Sequence, residues 1–161
     1  MRSICLLVTA LLLSLTAGCS QAAPIPAAGD PVDAYAAIVR WLYDADNAPS
    51  TGIFAIDTTG TGLAEPSRLV DALHKDPHYA NNTIMDATRA ELETQGLIDA
   101  KALLFEKGFL IEFIHPEIAS DHVTVGGSSW SGGLHAIYAT LTARWTPGGW
   151  VVDEPVSVAV A

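Results

Sequence analysis

The spacing of apolar residues changes partway along the chain, and that change limits the fold more than any other feature. In "DPVDAYAAIVRWLYDAD", Val32, Tyr35, Ala36, Val39, Leu42 and Tyr43 recur at intervals of three and four, which lines side chains along one face of an α-helix. Asp30 stands as its N-cap, Pro31 at the first helical position and Asp33 in the first turn, so the start is as well marked as the face. From Gly108 onward the pattern differs. "GFLIEFI" is a continuous apolar run, and "DHVTVGGSS", "LHAIYATLTARWT" and "GWVVDEPVSVAV" carry β-branched and aromatic residues between glycine and proline breaks. Such runs read as strands joined by turns. Helices first and a meander later predict an α+β domain, with N-terminal amphipathic helices packed on one face of a mostly antiparallel sheet.

The segments between are shorter. "TGIFAIDTT" predicts a strand that turns at Gly60-Thr61-Gly62, and "EPSRLVDALHK" a second helix bounded by Pro66 and Pro77. "TRAELETQG" opens with a capping box from Thr88 to Glu91, a reciprocal pairing that starts helices. "LIDAKALLFEK" extends that helix towards Gly108, unless Gly96 stops it. In the last run Trp150, Val152, Val156, Val158 and Val160 share one face of a single strand, interrupted by Glu154. Pro155 cannot donate to a ladder, which puts this strand at an edge or on a bulge.

The N-terminus follows another logic. Arg2 precedes an apolar run from Ile4 to Leu15, then Thr16, Ala17 and Gly18 lead to Cys19. A bilayer crossing needs about 20 apolar residues, so this shorter run reads as a secretory signal with a small-residue cleavage site. "LTAGC" resembles the lipobox of bacterial lipoproteins. Ala17 and Gly18 match it, while the leucine stands one position early, at Leu15, with Thr16 between. The resemblance implies cleavage before Cys19 and acylation of its thiol by chains such as palmitate, leaving the protein exported and lipid-anchored. Two or three acyl chains hold firmly where one does not. In a host with two membranes, Ser20 after the cysteine resembles the outer-membrane default. The alternative is an ordinary signal cut after Ala17 or Ala23. "SQAAPIPAAGD" then has the composition of a tether. The expected organisation is a signal over residues 1–18, a lipidated cysteine and tether over 19–29, and one α+β domain over 30–161.

Cysteine usage excludes whole classes of chemistry. The chain's two cysteines are Cys5 and Cys19, so the domain itself carries no thiol nucleophile, disulfide or cysteine metal ligand. It is held by its core, and at roughly 130 residues about two-thirds of its surface can be buried. With 8 basic against 18 acidic residues the net charge is −10. An acidic surface argues against nucleic acid and anionic headgroups, which need a basic footprint.

Taken together, "YAAIVRWLY", "GIFAID", "GFLIEFI", "VTVGGSSW" and "GGWVVD" resemble uncharacterised exported bacterial α+β proteins, a likeness that implies no activity. The helix-first order and the "GGWVVDE" ending also resemble, more loosely, cone-shaped folds of the nuclear-transport-factor-2 type.

Several constellations carry candidate chemistry. In "IFAIDTTGTG" a strand delivers Asp57 into a Thr/Gly turn, as in enzymes with an aspartyl nucleophile. Thr58 stands where the haloacid-dehalogenase type carries a second acid, and Thr59 interrupts the Asp-Thr-Gly of aspartic proteases. The structural alternative is a turn in which Asp57 bonds the backbone two residues on. "HKDPH" sets His74 and His78 four apart around Asp76, but Pro77 disfavours the helix that would align them. "HPEIASDH" gathers His115, Glu117, Asp121 and His122 as a metal candidate, or as a solvated hairpin loop. Glu112, flanked by bulky apolar residues in "FLIEFI", is an acid whose burial would raise its pKa. Glu154 could approach it for acid–base work, while the structural alternative sets Glu112 on the open face of the sheet or pairs it with Arg144. "VGGSSWSGG" is neither a nucleophile elbow nor a phosphate loop. Trp130, with Trp41, Trp145 and Trp150, could line a sugar or peptide groove, or fill the core.

Two functional readings follow. The first is a membrane-anchored, non-catalytic module that binds an envelope protein or cell-wall component, with no cofactor and no nucleic acid. It predicts no cleft of converging polar groups. The alternative is a small exported hydrolase, which predicts a pocket over the sheet holding two of Glu112, His115, Glu117, Asp121 and His122. The first is preferred because each catalytic signal is incomplete.

Overall fold

The computed structural model describes residues 29–132, 135–155 and 158–160. The expected signal, Cys19 and the tether up to residue 28 lie outside the described residues. Among those described, three α-helices and a seven-stranded, mostly antiparallel sheet make an α+β fold. No helix among them is long and apolar enough to cross a membrane.

Helix α1 spans Pro31–Ala45, and the Asp30 carboxylate accepts from the Val32 amide at 3.0 Å. With that cap, the apolar spacing of α1 buries Tyr35, Ile38, Val39 and Leu42 completely. Strand β1 (Gly52–Asp57) leads through a short 3₁₀ turn at Thr58–Gly60 into α2 (Ser67–Lys75). A second 3₁₀ turn, Pro77–Tyr79, precedes β2 (Asn82–Asp86), a strand the apolar pattern does not announce. The capping box forms at the start of α3, Arg89–Thr94. That helix stops there: Gly96 adopts φ 71°, and residues beyond it fold back so that Asp99 and Leu104 exchange backbone hydrogen bonds. The expected helical extension to Gly108 is thus replaced by turns, with the Asp99 carboxylate accepting from the Lys101 and Ala102 amides.

Strands β3 (Gly108–Ile118), β4 (His122–Gly132) and β5 (His135–Thr146) form the meander, followed by β6 (Gly149–Val152) and β7 (Val158–Val160). Strand order is β2-β1-β3-β4-β5-β6, with β7 also on β5. β1 runs parallel to both β2 and β3, an arrangement that needs the crossover connections that α2 and α3 supply. The last apolar run is two strands, not one. β6 pairs Ala143–Thr146 and β7 pairs Ile137–Ala139, so they share the outer edge of β5 with the chain broken at Asp153–Pro155. Pro155 falls in this break, where its missing N–H costs no ladder bond.

Alternation along the strands divides the apolar residues between two faces. Phe54, Ile56, Phe109, Ile111, Phe113, Val123, Val125 and Leu141 join α1 and α2 side chains in one large cluster. Tyr35 meets Phe113 edge-to-face and donates its hydroxyl to the Thr61 carbonyl at 2.6 Å, inside that cluster. The intervening residues Ala55 and Leu110, with Trp130 and Ala136, join Leu92 of α3, Ile98 and Phe105 in a smaller cluster. α1 and α2 therefore belong to one cluster and α3 to the other.

Candidate functional site

The smaller cluster covers only one end of its face of the sheet. Along β3, Leu110, Glu112 and Ile114 follow one another on this face, and the register extends each into a row. Leu110 pairs with Trp130 and Trp130 with Ala136, under α3. One step on, Glu112 pairs with Ser128, Ser128 with Tyr138, and Tyr138 with Ala159 of β7. In the next row Ile114 faces Gly126 and Gly126 faces Thr140. Among the described residues, nothing covers these two rows. They form a trough of about 490 Å³ between Glu112 and Ile114 on one side and Tyr138, Val158 and Ala159 on the other.

Gly126 makes the floor possible. A Cβ there would stand 2.8 Å from Ile114 Cγ1, so a side chain would enter the trough or push Ile114 aside. Tyr138 and Ile114 remain about half or more exposed, at 51% and 59%. With Val158, also exposed, they line one trough together, and it is such a contiguous apolar patch, not a single exposed side chain, that points to a binding surface.

Glu112 is the charged group in the trough wall. Burial, and then the neighbouring Asp57 carboxylate, push its pKa above the ordinary carboxylate value, while Arg89 pulls it back in part. Asp57 lies beside it because β1 and β3 are parallel with these two residues in register. Asp57 is also the cap of the 3₁₀ turn, its Oδ1 accepting from the Thr59 amide at 2.9 Å and the Thr59 hydroxyl at 2.5 Å. The carboxylate thus makes the two-residue turn contact that its sequence allows. Arg89 is engaged elsewhere, with its guanidinium 4.2 Å from the Trp130 ring centroid and Nε 3.4 Å from Glu93. Next to this turn, buried Thr58 donates its hydroxyl to Asp86 at 2.8 Å.

The other candidates sit apart from the trough lining. Glu154 is exposed in the break between β6 and β7, and the charges acting on Glu112 are Asp57 and Arg89. Arg144 pairs with Asp153 at 2.6 Å. His122 lies 2.8 Å from Asp121 and 3.9 Å from Glu117 at the β3–β4 turn, with Glu117 and Asp121 side chains about three-quarters exposed. His115, at φ 52°, sits where the β3–β4 register shifts between Ile114 and Glu117. His74 contacts the Val70 carbonyl of its own helix, whereas His78 contacts Asp44 and Arg40. Among the described residues, no group of three or more His, Cys, Asp or Glu is placed to hold a metal ion. Trp130 is 6% exposed in the smaller cluster and is not among the residues lining the trough, while Trp41 and Trp150 pack against the larger cluster. The binding reading expects no cleft of converging polar groups, whereas the trough lining includes Glu112, Ser128, Tyr138 and Thr140; the hydrolase reading expects at least two of its candidates there, and Glu112 is the one present.

Ser128, Tyr138 and Thr140 line the trough although no sequence motif marks them. Their signal is alternation: Tyr138 and Thr140 interleave with Ile137, Ala139 and Leu141, which assigns them jointly to one face. No family model, curated protein or solved structure matches the chain.

Proposed function

We propose that this chain is an exported, lipid-anchored binding module of the cell envelope that takes a small apolar ligand in the trough. The observation that carries the reading is the trough itself. Its size falls within the roughly 300–1,000 Å³ of small-molecule sites, its walls are mainly apolar, and its polar groups are few: Glu112, Ser128, Tyr138 and Thr140. The hydrolase reading has less support, since of the candidates named for it only Glu112 lines the trough and Asp57 is held by its own turn. The seven-stranded sheet with its long first helix is also in keeping with the cone-shaped type, a likeness of shape that brings no activity.

Anchoring rests on the Cys19 motif, and binding on the trough, so each has its own test. Fractionation of host membranes is expected to find the wild type with the membrane and Cys19→Ala free of it. A variant that stays with the membrane overturns the anchor. For binding, octanol is expected to raise the melting temperature of the wild type, as any ligand of the native state does, and to lose that effect in Gly126→Val. An unchanged wild-type melting temperature at saturating octanol overturns the trough as a ligand site.

A further inference from the structure

We propose that the trough selects a small apolar molecule ending in a protonated amine, with the ammonium held at Glu112 and the apolar body lying over Gly126 between Ile114 and Tyr138. This deepens the binding reading above and rests on it. The argument is one of charge complementarity at a cavity. Among the described residues two rows of the sheet are left uncovered, and the wall of the cavity over them carries a single charged side chain, the half-buried Glu112. A carboxylate withdrawn from water is costly unless something donates to it. Nothing on the neighbouring strand does so by charge: its register partner on β1 is Asp57, a second anion.

The nearby cation does not fill the role either. Arg89 reaches Glu112 only through space, being stacked on Trp130 and within 3.4 Å of Glu93 on its own helix. One anion in the wall of an apolar trough, with a second beside it on β1 and the local cation already engaged, leaves a place suited to a positive donor. An ammonium offers three N–H groups, and Ser128, across the register from Glu112, adds a neutral oxygen beside the carboxylate. The protein's excess of 18 acidic over 8 basic residues draws a cation in the same direction at long range. An anionic head would meet Glu112 and Asp57 with like charge, and a neutral alcohol would leave the carboxylate's charge unopposed.

The experiment compares three probes with one chain and three heads, octylamine, octanol and octanoate, each below its micelle-forming concentration, on the full-length protein. Calorimetric titration is expected to give octylamine an affinity about tenfold or more above octanol, the usual gain for a hydrogen bond to a charged group. Octanoate is expected to bind weakest. Glu112→Gln keeps the shape and should bring octylamine down to the level of octanol. If the three probes bind alike, or if the octylamine preference survives Glu112→Gln, the amine assignment is overturned while the trough remains a ligand site. Binding of none of the three overturns both.

Discussion

The two faces of this sheet are cut from the same strands yet differ in almost every physical respect. On the covered face, alternate residues are bulky and apolar, among them Phe109, Ile111, Phe113, Val125 and Leu141, and α1 closes over them with Tyr35, Ile38 and Leu42 fully buried. On the other face the same strands supply Glu112, Gly126, Ser128 and Thr140 over the stretch that α3 does not reach. A core needs large apolar side chains packed without voids. The covered face meets that demand. The open face, past Leu110 and Trp130, does not, and the thermodynamic demands of folding leave its residues free to serve a ligand. What the comparison teaches is that the proposed site sits where the sheet stops contributing to the core.

Substitutions that exchange the roles of the faces should break this comparison if it is wrong. The largest effect is expected at Phe109, 1% exposed among the aromatic rings of Phe54 and Tyr43. Phe109→Ala should cost about 3–5 kcal/mol in denaturant unfolding, as truncations of buried aromatics do, while Tyr138→Ala on the open face stays within about 0.5 kcal/mol. Equal costs would erase the distinction between the faces.

Two adjacent glycines sharpen it. A Cβ at Gly127 would meet Leu42 Cδ1 of α1 at 2.9 Å, whereas at Gly126 it would meet the exposed Ile114. Gly127→Ala is therefore expected to cost about 1–3 kcal/mol by overpacking. Gly126→Ala should cost under about 1 kcal/mol, because Ile114 can swing into solvent. The same measurement, chemical unfolding of both variants, decides it.

The smallest effect concerns charge. Because the folded-state pKa of Glu112 is raised above its ordinary value of 4.5, the native state holds its proton more tightly than the unfolded chain. Stability from this group is then present at low pH and falls as pH climbs from 4.5 through the raised value. Glu112→Gln should match the wild type below that window and exceed it in melting temperature above it. Superimposable profiles of melting temperature against pH would place Glu112 in an ordinary solvated setting.

Much of the fold was legible in the residues because its signals were local. Asp30 and Pro31 mark the start of α1, and its apolar spacing marks the buried face. Thr88 and Glu91 form the capping box they spell. The meander is announced by β-branched runs between glycine and proline breaks. Strand β2 had no such signal: "NTIMD" is an edge strand with polar residues at Asn82, Thr83 and Asp86, and its parallel pairing to β1 leaves no hairpin turn to read. The end of α3 was hidden for another reason. Leu104 and Phe105 fit a helical period, yet their backbones pair with Asp99 and Ser131 once Gly96 turns the chain. Propensity lost there to tertiary pairing.

The site was half legible on the same grounds. Glu112 stands out as an acid in an apolar run, and its raised pKa follows from that setting. Its neighbour Asp57 could be found only through the parallel register of β1 and β3, which no local pattern encodes. Glu154 shares a face with the last valines only if residues 150–160 form one strand. Once β6 and β7 separate, that alternation no longer applies to it.

The central claim, that the uncovered rows of the sheet are the ligand site, is tested most directly by mapping amide chemical shifts of the isotope-labelled protein during an octylamine titration. The account predicts shifts that saturate and concentrate at Glu112, Ile114, Gly126, Ser128, Tyr138 and Thr140, with α1 and the covered face unmoved. Shifts spread over the surface, or centred on the helices instead, would contradict it.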